Sequence, residues 1–249
     1  MKQKFIYTTA IAGLLLSSCG EGESHDTTNE SDSTSVTAFE AQKNEGKTFA
    51  DVQMLNYEIN GFDKLNLDQQ KLVYYLYEAG LAGRDIIWDQ NYRYNLDIRN
   101  ALENIYTIYD GDKTTTDWNN FEVYLKRVWF SNGIHHHYSM EKFLPAFSKA
   151  YFNTLLTETN TTLKPEIIDA MFNEADMKRV SLDGSGDLVL NSATNFYQED
   201  ITQKEVEDYY ATIIDKSDET PVEYGLNSKL VKAEDGTITE EVWKVGGMK

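Results

Sequence analysis

Cysteine and basic residues are scarce in this sequence. Cys19 is its only cysteine, so a disulfide within the chain is excluded. Lysine and arginine together number 23, against 41 aspartate and glutamate residues, and the formal net charge is −18. Nucleic acid and anionic lipid headgroups are therefore disfavoured as partners, because binding either one would bring like charges together.

Several catalytic signatures are also missing. The sequence has no Gly-x-x-x-x-Gly-Lys phosphate loop, no Gly-x-Ser-x-Gly nucleophile elbow and no pair of cysteines. Its histidines are His25, His135, His136 and His137, and none of them is followed by glutamate. The apolar run in residues 11–16 is too short for a permanent transmembrane helix, which needs about 20 apolar residues.

What is present begins with a secretory signal peptide at residues 1–18. Lys2 and Lys4 precede the apolar run, and Leu16-Ser17-Ser18-Cys19 has the form of a lipobox. Because the one cysteine lies where lipidation requires it, we predict that Cys19 is acylated. The protein would then be lipid-anchored in the bacterial cell envelope, at the outer membrane or cell surface or facing the periplasm, and would touch the membrane only through this anchor. An ordinary cleaved signal with an accidental cysteine is the alternative.

Residues 19–47 are rich in glutamate, aspartate, serine, threonine and asparagine and nearly free of large apolar residues. Such a segment buries too little surface to offset the entropy of ordering it. We predict a flexible acidic tether in which His25 is solvated. The folded region is expected at residues 48–249, which is long enough for one sizeable core.

The stretch from Asn66 to Tyr109 predicts two consecutive helices. Asn66 and Gln69 suit a capping box, and the apolar periodicity restarts after Gly83. Both helices are apolar or aromatic nearly all round. We therefore expect the pair to be buried deep inside a larger body.

The rest of the chain predicts further helices and one hairpin. The expected helices are one capped by Asp117 and ending near Asn132-Gly133, one capped by Ser139, one begun by Pro165, and one opened by the capping box of Thr202 and Glu205. Leu188 to Leu190 are expected to enter a strand. Lys229 to Lys232 and Thr237 to Val245 predict a hairpin around Glu234-Asp235-Gly236, with an open outer edge. The predicted fold class is α+β, predominantly α-helical with a C-terminal β-hairpin.

The triple histidine suggests a metal site. Adjacent imidazoles at His135, His136 and His137 diverge too far to close one tetrahedral zinc site, although two of them could serve with a distant carboxylate. Packing and hydrogen bonding beside a cleft are the favoured interpretation.

Two other polar groups invite functional interpretations. Residues 183–187 contain alternating acidic groups, but Thr194 occupies the position where a calcium loop needs its bidentate glutamate, so a turn between strands is favoured. A second group combines charged and aromatic side chains on one predicted helix. Its members are Arg84, Asp85, Trp88, Asp89 and Arg93. Ion pairing between helices is favoured there over substrate contact.

Three blocks of the sequence carry a resemblance to a known family. They are GRDIIWDQNYRYNLDIRNALENIY at 83–106, FEVYLKRVWFSNGIHHHYS at 121–139 and YGLNSKLV at 224–231. In this order they make the region from about residue 50 onward resemble the N-terminal part of bacterial dipeptidyl peptidase III.

The resemblance implies a zinc exopeptidase that removes dipeptides from the N-termini of oligopeptides. It also implies two lobes around a wide cleft, with residues 48–249 in the lower lobe. The family's zinc helix, His-Glu-x-x-Gly-His, does not occur here, and Glu240-Glu241 leads into Val-Trp-Lys instead of completing the family's Glu-Glu-x-x-x-Asp motif. We therefore expect a front portion truncated before the zinc-binding region, with no catalytic residue and no metal ligand. Zinc and oligopeptide substrates would belong to the complete protein.

Two functional interpretations stay open. In the first, the chain is the N-terminal part of an exported zinc dipeptidyl peptidase and is inactive alone. In the second, it is a non-catalytic surface lipoprotein that binds peptides or a protein partner through exposed aromatic surface.

Overall fold

The computed structural model describes residues 47–55, 59–215, 217 and 225–244. All of them belong to the second of two units into which the chain divides, Asn44–Lys249. The predicted signal peptide, Cys19, His25 and all of the predicted tether except Lys47 lie outside the described residues. None of the described helices is long and apolar enough to cross a membrane.

Helices dominate the described residues. In chain order the elements are β1 (Thr48–Phe49), β2 (Val52–Gln53), a short 3-10 helix (Phe62–Lys64), α1 (Leu67–Ala82), α2 (Arg84–Asn91), α3 (Asn95–Ile108), α4 (Thr116–Ser131), α5 (Lys149–Glu158), α6 (Pro165–Phe172), α7 (Gln203–Ile213), β3 (Ser228–Lys232) and β4 (Ile238–Val242). β1 pairs with β2, and β3 pairs with β4, both antiparallel. A mostly helical fold with a hairpin near its C-terminal end is thereby confirmed.

The central stretch forms three helices where two were predicted. The capping box is confirmed, because Asn66 Oδ1 accepts from the Gln69 amide at 3.0 Å and Gln69 Oε1 accepts from the Asn66 amide at 3.0 Å. The extra break falls at Tyr92, whose backbone is extended (φ −169°). Beside it the fully buried Asn95 donates to the Trp88 carbonyl and accepts from the Ile134 amide, which fixes the turn from α2 into α3.

The main core lies among α2 to α6. Its largest fully buried side chains include Trp88, Phe121, Phe152, Ile98, Leu102, Ile105, Leu125, Ile134, Leu155, Ile167 and Met171. Phe147 lies before α5 and brings five aromatic rings together, with ring centroids 5.8 to 6.3 Å from its own. Full burial of each such side chain stabilises the fold by about 1.5–3 kcal/mol.

Helix α4 begins two residues earlier than predicted. Thr115, not Asp117, is its N-cap and accepts from the Trp118 amide at 3.2 Å, while Asp117 lies in the first turn. The predicted end is confirmed, since Asn132 closes the helix in the left-handed conformation (φ 52°). Gly133 follows with φ 145°, and a Cβ atom there would lie 2.2 Å from Asn95 Nδ2.

The helix predicted from Ser139 is wrong at its start. Residues 139–148 are not helical, and α5 begins at Lys149 with Ser148 as its cap. The reason is tertiary: His135 pairs with Lys142 in an antiparallel bridge, and the Phe143 amide donates to the Ile134 carbonyl at 2.8 Å. Pro145 also lacks the amide that a helix interior needs. The helix begun by Pro165 is confirmed as α6.

The strand predicted at Leu188 to Leu190 is also wrong. These residues form a tight turn that the Asn191 amide closes by donating to the Asp187 carbonyl at 3.1 Å. Asp187 Oδ1 accepts from the Val189 and Leu190 amides, each at 2.9 Å, which favours a helical turn over an extended strand.

The C-terminal part follows the predictions more closely. Thr202 and Glu205 form the capping box of α7, with each backbone amide donating to the other residue's side chain. In the hairpin Ser228 pairs with Val242 and Lys232 with Ile238. β4 ends at Val242, and Val245, the predicted end of the strand, lies outside the described residues.

Candidate interaction surface

Helix α1 is exposed within this chain, which contradicts the prediction that it is deeply buried. It has no buried residue, whereas Trp88 in α2 is completely buried. Eight large apolar residues of α1 are each exposed by between 41% and 67%: Leu67, Leu72, Val73, Tyr74, Tyr75, Leu76, Tyr77 and Leu81. The sequence shows that α1 is apolar, but no described residue buries it.

The exposed side chains of α1 surround the whole helix. Successive residues turn by about 100°, so Leu76, Tyr77 and Tyr75 point in three widely separated directions. The charged residues of α1 are Asp68, Lys71 and Glu78. At ~100 Å² for each half-exposed side chain, the eight residues expose on the order of 800 Å² of surface, above the 300–600 Å² of the largest apolar patch on a typical monomer. Apolar patches above this range commonly mark sites of contact with proteins, ligands or membranes.

The apolar surface extends beyond α1. Met54, Leu55, Ile59 and Phe62 before it, and Ile87 after it, are exposed by 40% or more. Gln70 Nε2 joins α1 to this preceding segment by donating to the Phe62 and Leu65 carbonyls at 3.2 and 3.1 Å. We call α1 together with these five residues the apolar surface.

His135 lies in the core. Its Nε2 is 3.2 Å from the Met177 carbonyl, and its ring packs edge-on against Tyr92. Since a carbonyl only accepts, Nε2 carries the proton. Nδ1 is then an acceptor that is buried without a hydrogen-bond partner among the described residues. Burial lowers the pKa of His135 to about 4, so the ring is neutral at pH 7.

The next two histidines stack on each other. His136 Nδ1 accepts from the Tyr138 and Ser139 amides, both at 3.1 Å, and the ring of His137 lies 4.7 Å away at an angle of 22°. Stacked rings present their nitrogens side by side, not toward one shared ion. The predicted packing and hydrogen-bonding role is therefore what the structure shows.

Metal ligands are not clustered in the described part of the chain. Across the described ranges, no group of three or more histidine, cysteine, aspartate or glutamate side chains is arranged to hold an ion. The donor set therefore does not fit a zinc site in this part of the chain. For the chain as a whole, the absence of a zinc ligand stays a prediction.

The polar cluster of α2 holds elements together. Asp85 accepts from Arg99 Nη1 at 2.8 Å and so ties α2 to α3. The buried Asp89 accepts from Asn195 Nδ2 at 3.0 Å, and Asn195 Oδ1 accepts from Lys229 at 2.6 Å, so that α2 is tied to the hairpin. These contacts support the predicted structural role of Asp85 and Asp89.

Arg93 and Arg84 complete that cluster. Arg93 forms an ion pair with Glu199, and Arg84 lies in the first turn of α2. The distant partners Asn195, Glu199 and Lys229 were missed because no local spacing connects residues so far apart in the chain.

The acidic loop at residues 183–187 caps turns. Asp183 Oδ1 accepts from the Ser185 amide at 3.0 Å and from its hydroxyl at 2.7 Å. Asp187 Oδ2 accepts from the Gln203 amide at 2.9 Å. Both carboxylates are thus occupied by protein donors.

The hairpin edge is open in the part of the chain that the structure describes. On one side of β3, the Leu230 amide donates to Phe196 and its carbonyl accepts from Gln198. On the other side lies β4, whose Val242 is 66% exposed. The predicted open edge on the second strand is consistent with this arrangement.

Comparison with known proteins adds no relative. No protein-family model matches the sequence, and no curated protein matches it.

Proposed function

We propose that this chain is the N-terminal, non-catalytic part of an exported zinc-dependent dipeptidyl peptidase of the dipeptidyl peptidase III type. The observation that supports this most is α1, which is apolar on every side and yet exposed. A helix of this kind is stable when a larger body encloses it. A second lobe packed on the apolar surface would supply that body.

The resembling blocks support the same proposal. Residues 83–106 and 121–139 form α2, most of α3, most of α4 and the histidine segment, which make up much of the main core. In the proposed protein this core is a scaffold in the lower lobe of a two-lobed peptidase.

We assign the zinc chemistry to the second lobe because the described residues of this chain hold no metal-binding cluster. When a zinc ion is bound by the second lobe, it supplies an activated water for attack on the peptide bond. No step of that reaction is assigned to the described residues of this chain. Acylated Cys19 would hold the protein in the cell envelope, and its substrates would be oligopeptides.

The same surface supports one alternative. Exposed aromatic side chains on α1 suit a non-catalytic lipoprotein that binds peptides or a protein partner. In that case the covering partner is a separate molecule, and no zinc motif accompanies this chain.

The deciding experiment starts from the gene. An open frame beyond the codon for Lys249 that encodes His-Glu-x-x-Gly-His supports the peptidase, and a stop codon followed by unrelated sequence supports the lipoprotein. If the frame is open, the long product should release dipeptides from a dipeptidyl arylamide. Its Tyr75→Asp/Leu76→Asp variant should lose most of that activity, whereas the control Leu182→Asp, at a residue 88% exposed outside α1, should not.

A further inference from the structure

Glycine follows asparagine at two places in the sequence, Asn60-Gly61 and Asn132-Gly133. Asparagine is a thermolabile residue, because the backbone nitrogen of the next residue can attack its side-chain amide. Glycine in that next position favours the attack, since it has no Cβ atom to block the approach and its backbone is conformationally permissive. The two pairs share this chemistry, so a difference between their rates reports on the fold around each.

The fold holds the second pair in place. Gly133 is buried, and its amide donates to the Val128 carbonyl at 3.0 Å. The Asn132 carbonyl accepts from Asn91 Nδ2, also at 3.0 Å. The Gly133 nitrogen must leave this hydrogen bond and its buried position before it can attack, which requires local opening of the structure.

The first pair lies in a turn before the short 3-10 helix, and it is open. Asn60 is exposed, and a Cβ atom added to Gly61 would meet nothing within 4 Å beyond its chain neighbours. Among the described residues, none accepts a hydrogen bond from the Gly61 amide, and none forms a hydrogen bond or ion pair with the Asn60 side chain. Attack at this pair therefore requires no opening of the core.

From this contrast we propose that Asn60 is a site of spontaneous deamidation in the folded chain and that Asn132 is protected. Hydroxide removes the proton of the Gly61 nitrogen, which attacks Cγ of Asn60. The bond from Cγ to the side-chain nitrogen breaks, and that nitrogen leaves as ammonia after taking a proton from water. Water then opens the cyclic succinimide at either carbonyl and gives aspartate or isoaspartate. The net reaction consumes water and releases ammonia, without oxidation or reduction.

The product changes the charge of the apolar surface. Either form places a carboxylate between Ile59 and Phe62, which are 83% and 40% exposed. A polypeptide that covers these two residues would have to desolvate the new charge, which is unfavourable when the charge has no partner. Covering would also shield Asn60 from water and hydroxide. This consequence rests on the proposed function, whereas deamidation of the uncovered chain does not.

The test incubates the purified chain in mildly alkaline buffer and follows both asparagines by peptide mapping. Trypsin separates them into the peptides 48–64 and 128–142. Deamidation raises the peptide mass by the difference between a hydroxyl and an amino group, and fragment spectra locate the change. In the folded chain Asn60 should convert at least about ten times faster than Asn132, which reacts only through local opening. Equal rates in the folded chain, or no conversion of Asn60 while the unfolded chain converts, would overturn the proposal.

A parallel incubation in guanidinium chloride, at a concentration that removes the helical circular-dichroism signal, separates the chemistry from the fold. Both asparagines should then convert at similar rates, and a persistently slow Asn132 would show that the fold is not what protects it. Gly61→Ala measured in the same denaturant should slow the conversion of Asn60 severalfold, because the added methyl group hinders the attack, and should leave Asn132 unchanged. An unchanged rate at Asn60 in this variant would refute attack by the Gly61 nitrogen.

Discussion

Asn95 and Gly133 form one structural unit. Substituting each residue alone and both together should show that their contributions to stability are coupled. Asn95 is fully buried and satisfies both the Trp88 carbonyl and the Ile134 amide. Asn95→Ala leaves the Ile134 amide unpaired in the core, at about 1–3 kcal/mol, whereas the Trp88 carbonyl still accepts from the Tyr92 amide at 3.4 Å. We expect a loss of about 2 kcal/mol, which lowers the melting temperature of a domain of this size by about 4–8 °C.

The matched control is Asn100→Ala in the same helix. Asn100 is exposed, so its replacement should change stability by no more than about 0.5 kcal/mol. Urea unfolding followed by circular dichroism measures both variants. A loss in Asn95→Ala no larger than in the control would refute the role given to this side chain.

Gly133 extends the same prediction to a double-mutant cycle. Gly133→Ala places a Cβ atom 2.2 Å from Asn95 Nδ2 and requires an unfavourable φ of 145°. Asn95→Ala removes the clash but not the backbone strain. Gly133→Ala should therefore cost at least about 1 kcal/mol less in the Asn95→Ala background than in the wild type. Additive losses would mean that the two residues do not interact.

Four further outcomes follow from the sequence and the structure. Cys19→Ala should release the protein from the membrane fraction and abolish fatty-acid labelling; unchanged retention and labelling would remove the lipoprotein interpretation. The purified chain alone should bind no stoichiometric zinc and should not cleave a dipeptidyl arylamide; chelator-sensitive hydrolysis would point first to the histidine segment. Light scattering on the chain from Gly20 should show self-association that Tyr75→Asp/Leu76→Asp reduces, and a clean monomer with one cooperative melt would favour the stand-alone binding module. Because the pKa of His135 falls from 6.5 unfolded to about 4 folded, its contribution to stability is present above pH 6.5 and lost as pH falls toward 4; between pH 7 and pH 5 His135→Phe should lose about 2 kcal/mol less stability than the wild type, and equal losses in urea unfolding would refute this role.

The elements that the sequence predicts correctly depend on neighbours in the chain. The capping boxes at Asn66 and Thr202 need partners three residues away, and Pro165 acts within its own turn. The error at Ser139 has a non-local cause. Residues 135 and 142 pair with each other, and the Met140 carbonyl accepts from Arg179, contacts that depend on the assembled core.

The candidate sites likewise separate into features that neighbours in the chain determine and features that depend on the assembled fold. That the histidines cannot close one metal site follows from their adjacency, and the structure shows the packing that replaces it. The link from Asp89 through Asn195 to Lys229 joins three distant segments, so only the folded chain reveals it.

The energetics of α1 bear on the proposed function. An isolated helix of 16 residues is marginal in water, and α1 gains no support from burial within the described chain. Its capping box and the bonds of Gln70 secure its first turns, while its last turn continues through Gly83 into the well-packed α2. The middle turns, which carry six consecutive large residues from Leu72 to Tyr77, have no such support among the described residues. If a second polypeptide covers α1 as proposed, its binding and the stability of α1 are coupled, and a charged substitution in the middle of the helix should weaken both together.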